Sequence, residues 1–533
     1  MLFRSHGELP LLCTDETGRP LFGGSPLVQA QGAQNRPLGA ALVEARLGAG
    51  RAWLFGYDLC QVVATLRHGT GALDERPAHD MGPLYGPRHI YSFFELSNKV
   101  PRTVPIADPH QDILRTVVLQ ALAGTGLPRL WHFPAGAPAL WFVKADGCGE
   151  FGVDQLVALV ERHDAYVSFY RPPISRYDGD LMRAWHARGH GISIEANVND
   201  LTQTSQVIDG MPVRRGRSAA EINRDGLPGL RARLQAHRDK FYAETSLEME
   251  TVCIHSCQWT GAPMAQMLRD LGWHTPVHFI SHDPRMRPGP HYGPYMIASA
   301  LPLPYYEPGT GVLDLWHMPA QWDESETIGL PEQLTRPVPP DWPGFQGVPD
   351  EYHDFYTAQT TNRVSGFVGL TAADYGEALA RFAEEAAQRW HGVQITNFHP
   401  LYVAGPQDHP RASRLALELG LRGAAAAGCR FDNLEHWSRF FRARAAVRLT
   451  GWQIGPGPAE WITLWAADSL AQLVMLLPDT VTEVHLAATG IALPLHTWRL
   501  EGRWQQGVLV DLDAGHEMTL HLAKRSDNDA GTD

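Results

Sequence analysis

The chain has 533 residues, more than one ordinary core holds, so two or three domains are expected. At 44% hydrophobic and 19% charged, it has the make-up of a folded globular protein. A net charge of -13 with no long Lys/Arg run argues against nucleic acid or an anionic membrane as the partner. There is no stretch of about 18 apolar residues, so no transmembrane helix is expected. The start, Met1 to Glu8, lacks a basic segment followed by an apolar one. Six scattered cysteines (13, 60, 148, 253, 257 and 429) make no disulfide scaffold. A cytoplasmic setting is the expectation.

The first 105 residues read as a β-rich segment with a linker. Pro10–Phe22 and Ala40–Tyr57 each have the form of a hairpin, the second leading into a short helix or turn at Asp58–Val63. A helix is expected at Pro109–Leu122. From about 128 the rhythm becomes strand, helix, strand. Strands are expected at 139–145, 165–170, 191–195, 250–255, 276–280 and 393–398, with helices at 153–163, 178–187, after Pro228, and at 262–271. Thr371 and Asp374 form a capping pair for a helix through Phe382, Ala386 and Trp390. Two more helices follow at 412–427 and 433–446. This alternation predicts a parallel sheet, and some seven units favour a barrel over a flat sheet. The Pro-rich stretches 283–295 and 331–365 read as long insertions of the kind that often carry function. From 448 the pattern is strand-like again, and a small β-sandwich is expected.

Several of the strand-like runs end in chemistry. Ala139–Ala145 is apolar apart from Lys144 and ends at Asp146-Gly147. Further runs end near Glu195, His255 and His399. In α/β proteins ligands gather at the carboxyl ends of buried strands. An acid there is a metal ligand, a catalytic group or a helix cap. If Glu250–Trp259 stays extended, Cys253, His255 and Cys257 share one face; three successive same-face residues span too far for one ion, and the cysteines read as small buried hydrophobes, so His255 is the ligand favoured in that run, with a structural histidine as the alternative. A surface glutamate at a strand exit accounts for Glu195 equally well, and a backbone-bonding loop residue for His399. The chain has neither a P-loop nor a Gly-x-Ser-x-Gly elbow.

The order Asp146, Gly189–Asn199, His255, His399 resembles the polysaccharide deacetylases of carbohydrate esterase family 4, whose fold is a distorted (β/α)7 barrel. Their first motif, Phe-Asp-Asp-Gly, resembles Lys144-Ala145-Asp146-Gly147. Asp146 fits the metal-binding position, and Ala145 stands where that family has its base. Their second motif resembles Gly189–Asn199, with Glu195 and Asn199 in place of the two metal histidines. Asn397-Phe398-His399 resembles their late Leu-x-His motif. A divergent bacterial branch of the superfamily is closer still. Ala49–Leu59, Leu130–Pro134, the histidine–tryptophan stretch Thr251–Gly261 and Met318–Asp323 all resemble its motifs.

The resemblance implies a deacetylase-like barrel over 106–447, between a β-rich segment at 1–105 and a C-terminal β-sandwich and tail at 448–533. It implies a metal-dependent hydrolase acting on an acyl or amide group of a carbohydrate. Asp146, His255 and Glu195 would hold a divalent metal, with zinc expected. Glu195 or His399 would move the proton. Gln258, Trp259, Gln321 and Asp323 would meet the carbohydrate. Two other readings stand beside it. One is a non-catalytic relative that binds a glycan or protein partner through the same cleft; the other is a metal-free glycoside hydrolase using paired carboxylates such as Asp146 and Glu195.

Overall fold

The computed structural model describes residues 25–31, 37–48, 50–69, 104–122, 128–146, 152–172, 179–198, 201, 203–208, 211–277, 279–280, 299–307, 311–320, 322–328, 370–405, 407, 412–453 and 460–524. The expected hairpin at 10–22, both Pro-rich insertions, Gly147–Gly149 and Gln321 lie outside the described residues.

Three antiparallel strands come first: β1 (Ser25–Gln31), β2 (Pro37–Leu47) and β3 (Gly50–Phe55). The hairpin expected at 40–57 is β2–β3. Helix Leu59–His68 follows, capped by the Asp58 carboxylate, which accepts from the Gln61 amide at 2.9 Å. Helix Ala107–Leu122 is tied to the body by buried Asp108, which accepts from the Ser299 hydroxyl at 2.6 Å and the Ala300 amide at 2.7 Å. A two-residue strand, β4 (Arg129–Leu130), precedes the main sheet.

The main sheet is parallel. Its strands are β5 (Leu140–Asp146), β6 (Val167–Arg171), β7 (Gly191–Ala196), β10 (Thr251–Ile254), β11 (Thr275–Pro276), β16 (Trp322–Asp323) and β17 (Val393–Asn397), in the order β11-β10-β7-β6-β5-β17-β16. The hairpin β8 (Gln203–Ile208) with β9 (Met211–Gly216) intervenes after β7. The run 276–280 divides: Thr275 and Pro276 pair with β10, while β12 (Phe279–Ile280) pairs with β15 (Pro319–Ala320). Between them lies the antiparallel pair β13 (Leu303–Glu307) and β14 (Gly311–His317). β18 (Arg430–Phe431) adds to β5. The fold is mixed α/β, a curled, distorted (β/α) barrel of seven parallel strands. The Thr371–Asp374 capping box is present at the head of helix Ala372–Glu385.

Side chains alternate across a strand, and β5 shows what this does. Trp141, Val143 and Ala145 face outward into a core shared with the helices. Leu140 and Phe142 face inward with Val393, Ile395, Tyr170 and Cys253, against Leu434, Trp437, Phe440 and Ala443 of helix Leu434–Ala445. The concave face is therefore filled by a helix at its apolar foot, and its polar residues lie at the carboxyl edge.

The C-terminal strands form two antiparallel sheets. β19 (Arg448–Trp452), β20 (Trp461–Trp465), β22 (Val481–Leu486), β23 (Ala492–Leu493) and β26 (Glu517–Lys524) make one. β21 (Leu470–Leu476), β24 (His496–Leu500) and β25 (Arg503–Leu512) make the other, completed by β4 beside β21. The sandwich core is continuous with the inner core of the barrel. Arg129 donates to Glu501 from both terminal nitrogens, at 3.1 and 2.6 Å. His391 accepts from the Glu501 amide at 2.9 Å while its other nitrogen meets the Pro138 carbonyl at 2.9 Å. Among the described residues no helix is long and apolar enough to cross a membrane.

One buried acid in this core sets a pH dependence. Glu435, on the helix that fills the concave face, is 3% exposed, and its Oε1 has no hydrogen-bond partner among the described residues. Burial pushes its carboxyl up to about 8, against the pull of Arg439. An acid whose folded value is raised favours the fold below its ordinary value near 4.3; that contribution is lost as pH climbs toward 8. Glu435→Gln, which mimics the protonated acid, should therefore remove part of this dependence. Denaturant unfolding at pH 5 and pH 8.5 should show the wild type losing on the order of 3 kcal/mol more than the variant over that interval. Equal losses would place the carboxylate in a solvated environment.

Candidate functional site

The carboxyl edge of the sheet collects the ionisable groups, and strand register lines them up. Asp323 pairs with Asn397, Asn397 with Lys144, and Lys144 with Ser168. Two residues along, Asp146 lies opposite Tyr170, and Glu195 lies opposite Cys253. All project to the concave side by the same alternation that buries Leu140 and Phe142 there.

Asp146 is buried and engaged at both oxygens. Lys144 Nζ donates to Oδ1, and Asn397 Nδ2 donates to Oδ2 at 3.2 Å. Lys144 also donates to Asn397 Oδ1 at 3.3 Å and lies 5.5 Å from the centre of the Tyr170 ring. Asn397 Nδ2 further donates to Asp323 Oδ2 at 2.9 Å. Burial would discharge the Lys144 ammonium, but Asp146, by charge and by hydrogen bond, holds its pKa well above the ordinary lysine value.

Two carboxylate–histidine pairs flank this row. His255 opens a tight turn, His255–Cys257, directly after β10; Cys257 takes a left-handed conformation, so the run is not extended through it. His255 Nδ1 donates to Glu195 Oε1 at 2.7 Å. Burial opposes charge on this ring, but Glu195 by charge and hydrogen bond, and Asp146 by charge, raise its pKa; His399 acts the other way. The second pair is His399 with Glu324. His399 caps the five-residue helix Pro400–Ala404, and both its backbone amide and its Nδ1 donate to Glu324 Oε1, the ring at 2.9 Å. Glu324 follows β16 directly and is fully buried; burial raises its pKa although His399 opposes the rise. Its Oε2 has no hydrogen-bond partner among the described residues. In both pairs the Nδ1 proton is committed to a carboxylate, so in the neutral ring Nε2 carries the lone pair.

Asp323, Glu324 and His399 form a group that could hold a metal ion: one ligand atom from each lies within 4.8 Å of the others. Two carboxylates and an imidazole suit zinc or manganese, and the orphaned Glu324 Oε2 is the kind of atom a cation would satisfy.

Of the expected site residues, Asp146, Glu195, His255, Asp323 and His399 lie at the carboxyl edge of the sheet. Glu195 meets His255, while Asp146 meets Lys144 and Asn397. Asp323 and His399 converge with Glu324, which sequence reading did not single out. Gln258 and Trp259 lie inside the protein at 1% and 0% exposure, and the Trp259 ring stands edge-on to Tyr305 and His317. A ring so enclosed presents no face to a sugar in this conformation.

No protein-family model matches the chain, and no curated protein sequence matches it. Solved structures do. One is a protein assigned as a polysaccharide deacetylase from Mycobacterium smegmatis, at TM-score 0.36 and 14% identity, covering 60% of this chain and 96% of that one. Another is the Xyl-CE4 domain of a multidomain xylanase from the hindgut metagenome of Trinervitermes trinervoides, at 0.28 and 8%, covering 56% and 90%. A third is a polysaccharide deacetylase from Bacillus cereus, at 0.26 and 9%, covering 55% and 91%. At such scores the site stands on its own residues.

The Glu195–His255 contact has a direct readout. Glu195→Gln removes the largest of the contributions that together outweigh burial, so the His255 ring should titrate at lower pH than in the wild type. Ring-proton NMR titration measures this. An unchanged midpoint would mean that the two side chains do not pair in solution.

Proposed function

We propose that the chain is a metal-assisted hydrolase of an acyl or amide group on a carbohydrate. The observation that carries this reading is the pair of carboxylate-anchored imidazoles at the carboxyl edge of the sheet, one of them within a donor group suited to a divalent ion. Asp323, Glu324 and His399 would hold the ion, with zinc the first candidate. Bound there, it would polarise an acyl carbonyl and lower the pKa of its water.

The remaining work falls to the chain's own groups. His255, its Nδ1 proton held by Glu195, receives a proton at Nε2 and returns it to the leaving oxygen or nitrogen. Glu195 stabilises the charged ring and fixes its tautomer. Asn397 orients Asp323 by donating to its Oδ2. The carbohydrate part of the reading is supported by the motif resemblance at residues 144–147, 189–199 and 397–399.

Metal analysis of the purified protein and hydrolysis of acetylated sugar oligomers test this together. About one divalent ion per chain is expected, with binding weakened tenfold or more in His399→Gln. His255→Ala should keep the ion and lose about 10²- to 10⁴-fold in kcat. A wild type that takes up no ion after metal is added back would refute the metal-assisted reading.

A further inference from the structure

Lys144 has no part in the proposed reaction. Lys144 is 2% exposed, and lysine is almost never buried unless paired. Its ammonium lies among groups that bind metals in other settings, donating to Asp146 Oδ1 and, at 3.3 Å, to Asn397 Oδ1. Asp146 is a strand-end carboxylate, and its Oδ1 is already taken by Nζ.

We propose that Lys144 is a resident cation, its ammonium standing where a divalent ion would otherwise sit against Asp146 and Asn397. Lysine supplies a single positive charge, half that of a divalent ion, and no open coordination positions. It therefore neutralises Asp146 and orders Asn397 but cannot activate water. Asn397 spends Oδ1 on Lys144 and Nδ2 on Asp146 and Asp323, so the lysine fixes which way the amide points. Lys144 is on this account a positioning residue for Asp323. That last link rests on the function proposed above; the occupation of the Asp146 pocket does not.

The test is cobalt binding to the full chain after chelator treatment, for the wild type, Lys144→Ala and the double variant Lys144→Ala/Asp146→Asn. The expected result is one more ion per chain in Lys144→Ala than in the wild type, absent again in the double variant. Equal stoichiometry in Lys144→Ala and wild type overturns the proposal. The wild-type stoichiometry reports separately on the Asp323, Glu324 and His399 group: no ion there with a gain in Lys144→Ala refutes the metal-assisted reaction and leaves the resident cation standing. Lys144→Ala leaves Asp146 buried and uncompensated, so it is also refolded with and without cobalt. Recovery of folded protein only with cobalt supports the proposal. No recovery in either case, while the double variant folds, shows that an ion cannot replace the ammonium and overturns it.

Discussion

Two charged side chains two residues apart on one buried strand must satisfy each other, and much of the site follows from that constraint. Lys144 and Asp146 project from the same face of β5 into the protein. Burying either alone would cost several kcal/mol. Together they still leave polar valences, and Asn397 on the neighbouring strand closes them from both sides. The amide's spare donor then reaches Asp323 one strand further on. One ion pair thus determines the side-chain geometry of three adjacent parallel strands, and the group of Asp323, Glu324 and His399 is built at the end of that row.

The same alternation explains why the polar row is confined to the carboxyl edge. Lower on the concave face the inward positions are Leu140, Phe142, Val393 and Ile395, packed on helix Leu434–Ala445 and continuous with the sandwich core. That packing keeps water from the foot of the sheet. The carboxyl edge, where His255 and His399 are partly accessible, is left for exchange with a ligand. Pinning each ring at Nδ1 by a buried or nearly buried carboxylate gives both imidazoles the same tautomer. Two such rings within electrostatic reach of each other can divide the work, one toward a cation and one toward a proton.

Much of this was legible in the sequence because it is local. The apolar run through Val143, the strand endings at Asp146, Glu195 and His399, and the Thr371–Asp374 cap all depend on neighbours a few residues away. The turn at His255–Cys257 was not legible as such, since nothing in Ile254-His255-Ser256 breaks an extended pattern by composition. Glu324 was missed because its meaning comes from His399, 75 residues later. The pairing of Lys144 with Asp146 follows from period two alone. That the shared face is the inner one does not, because the helix that fills the inner face comes almost 300 residues downstream.

Ala145 shows how the core limits where the chemistry can sit. In the family that the motif resembles, the corresponding residue is the catalytic base. Here residue 145 faces outward, fully buried in the cluster that includes Val143, Val157 and Phe169. A carboxylate there would have no solvent and no cation from this row, since Lys144 points to the other face and is already engaged with Asp146. Its charged form would be strongly disfavoured. Alanine is what the packing at this position admits. On the proposed reading the proton-transfer group comes from another strand, where His255, backed by Glu195, stands at the same edge of the sheet. The outward, helix-covered face of β5 thus admits alanine but not a charged group at residue 145.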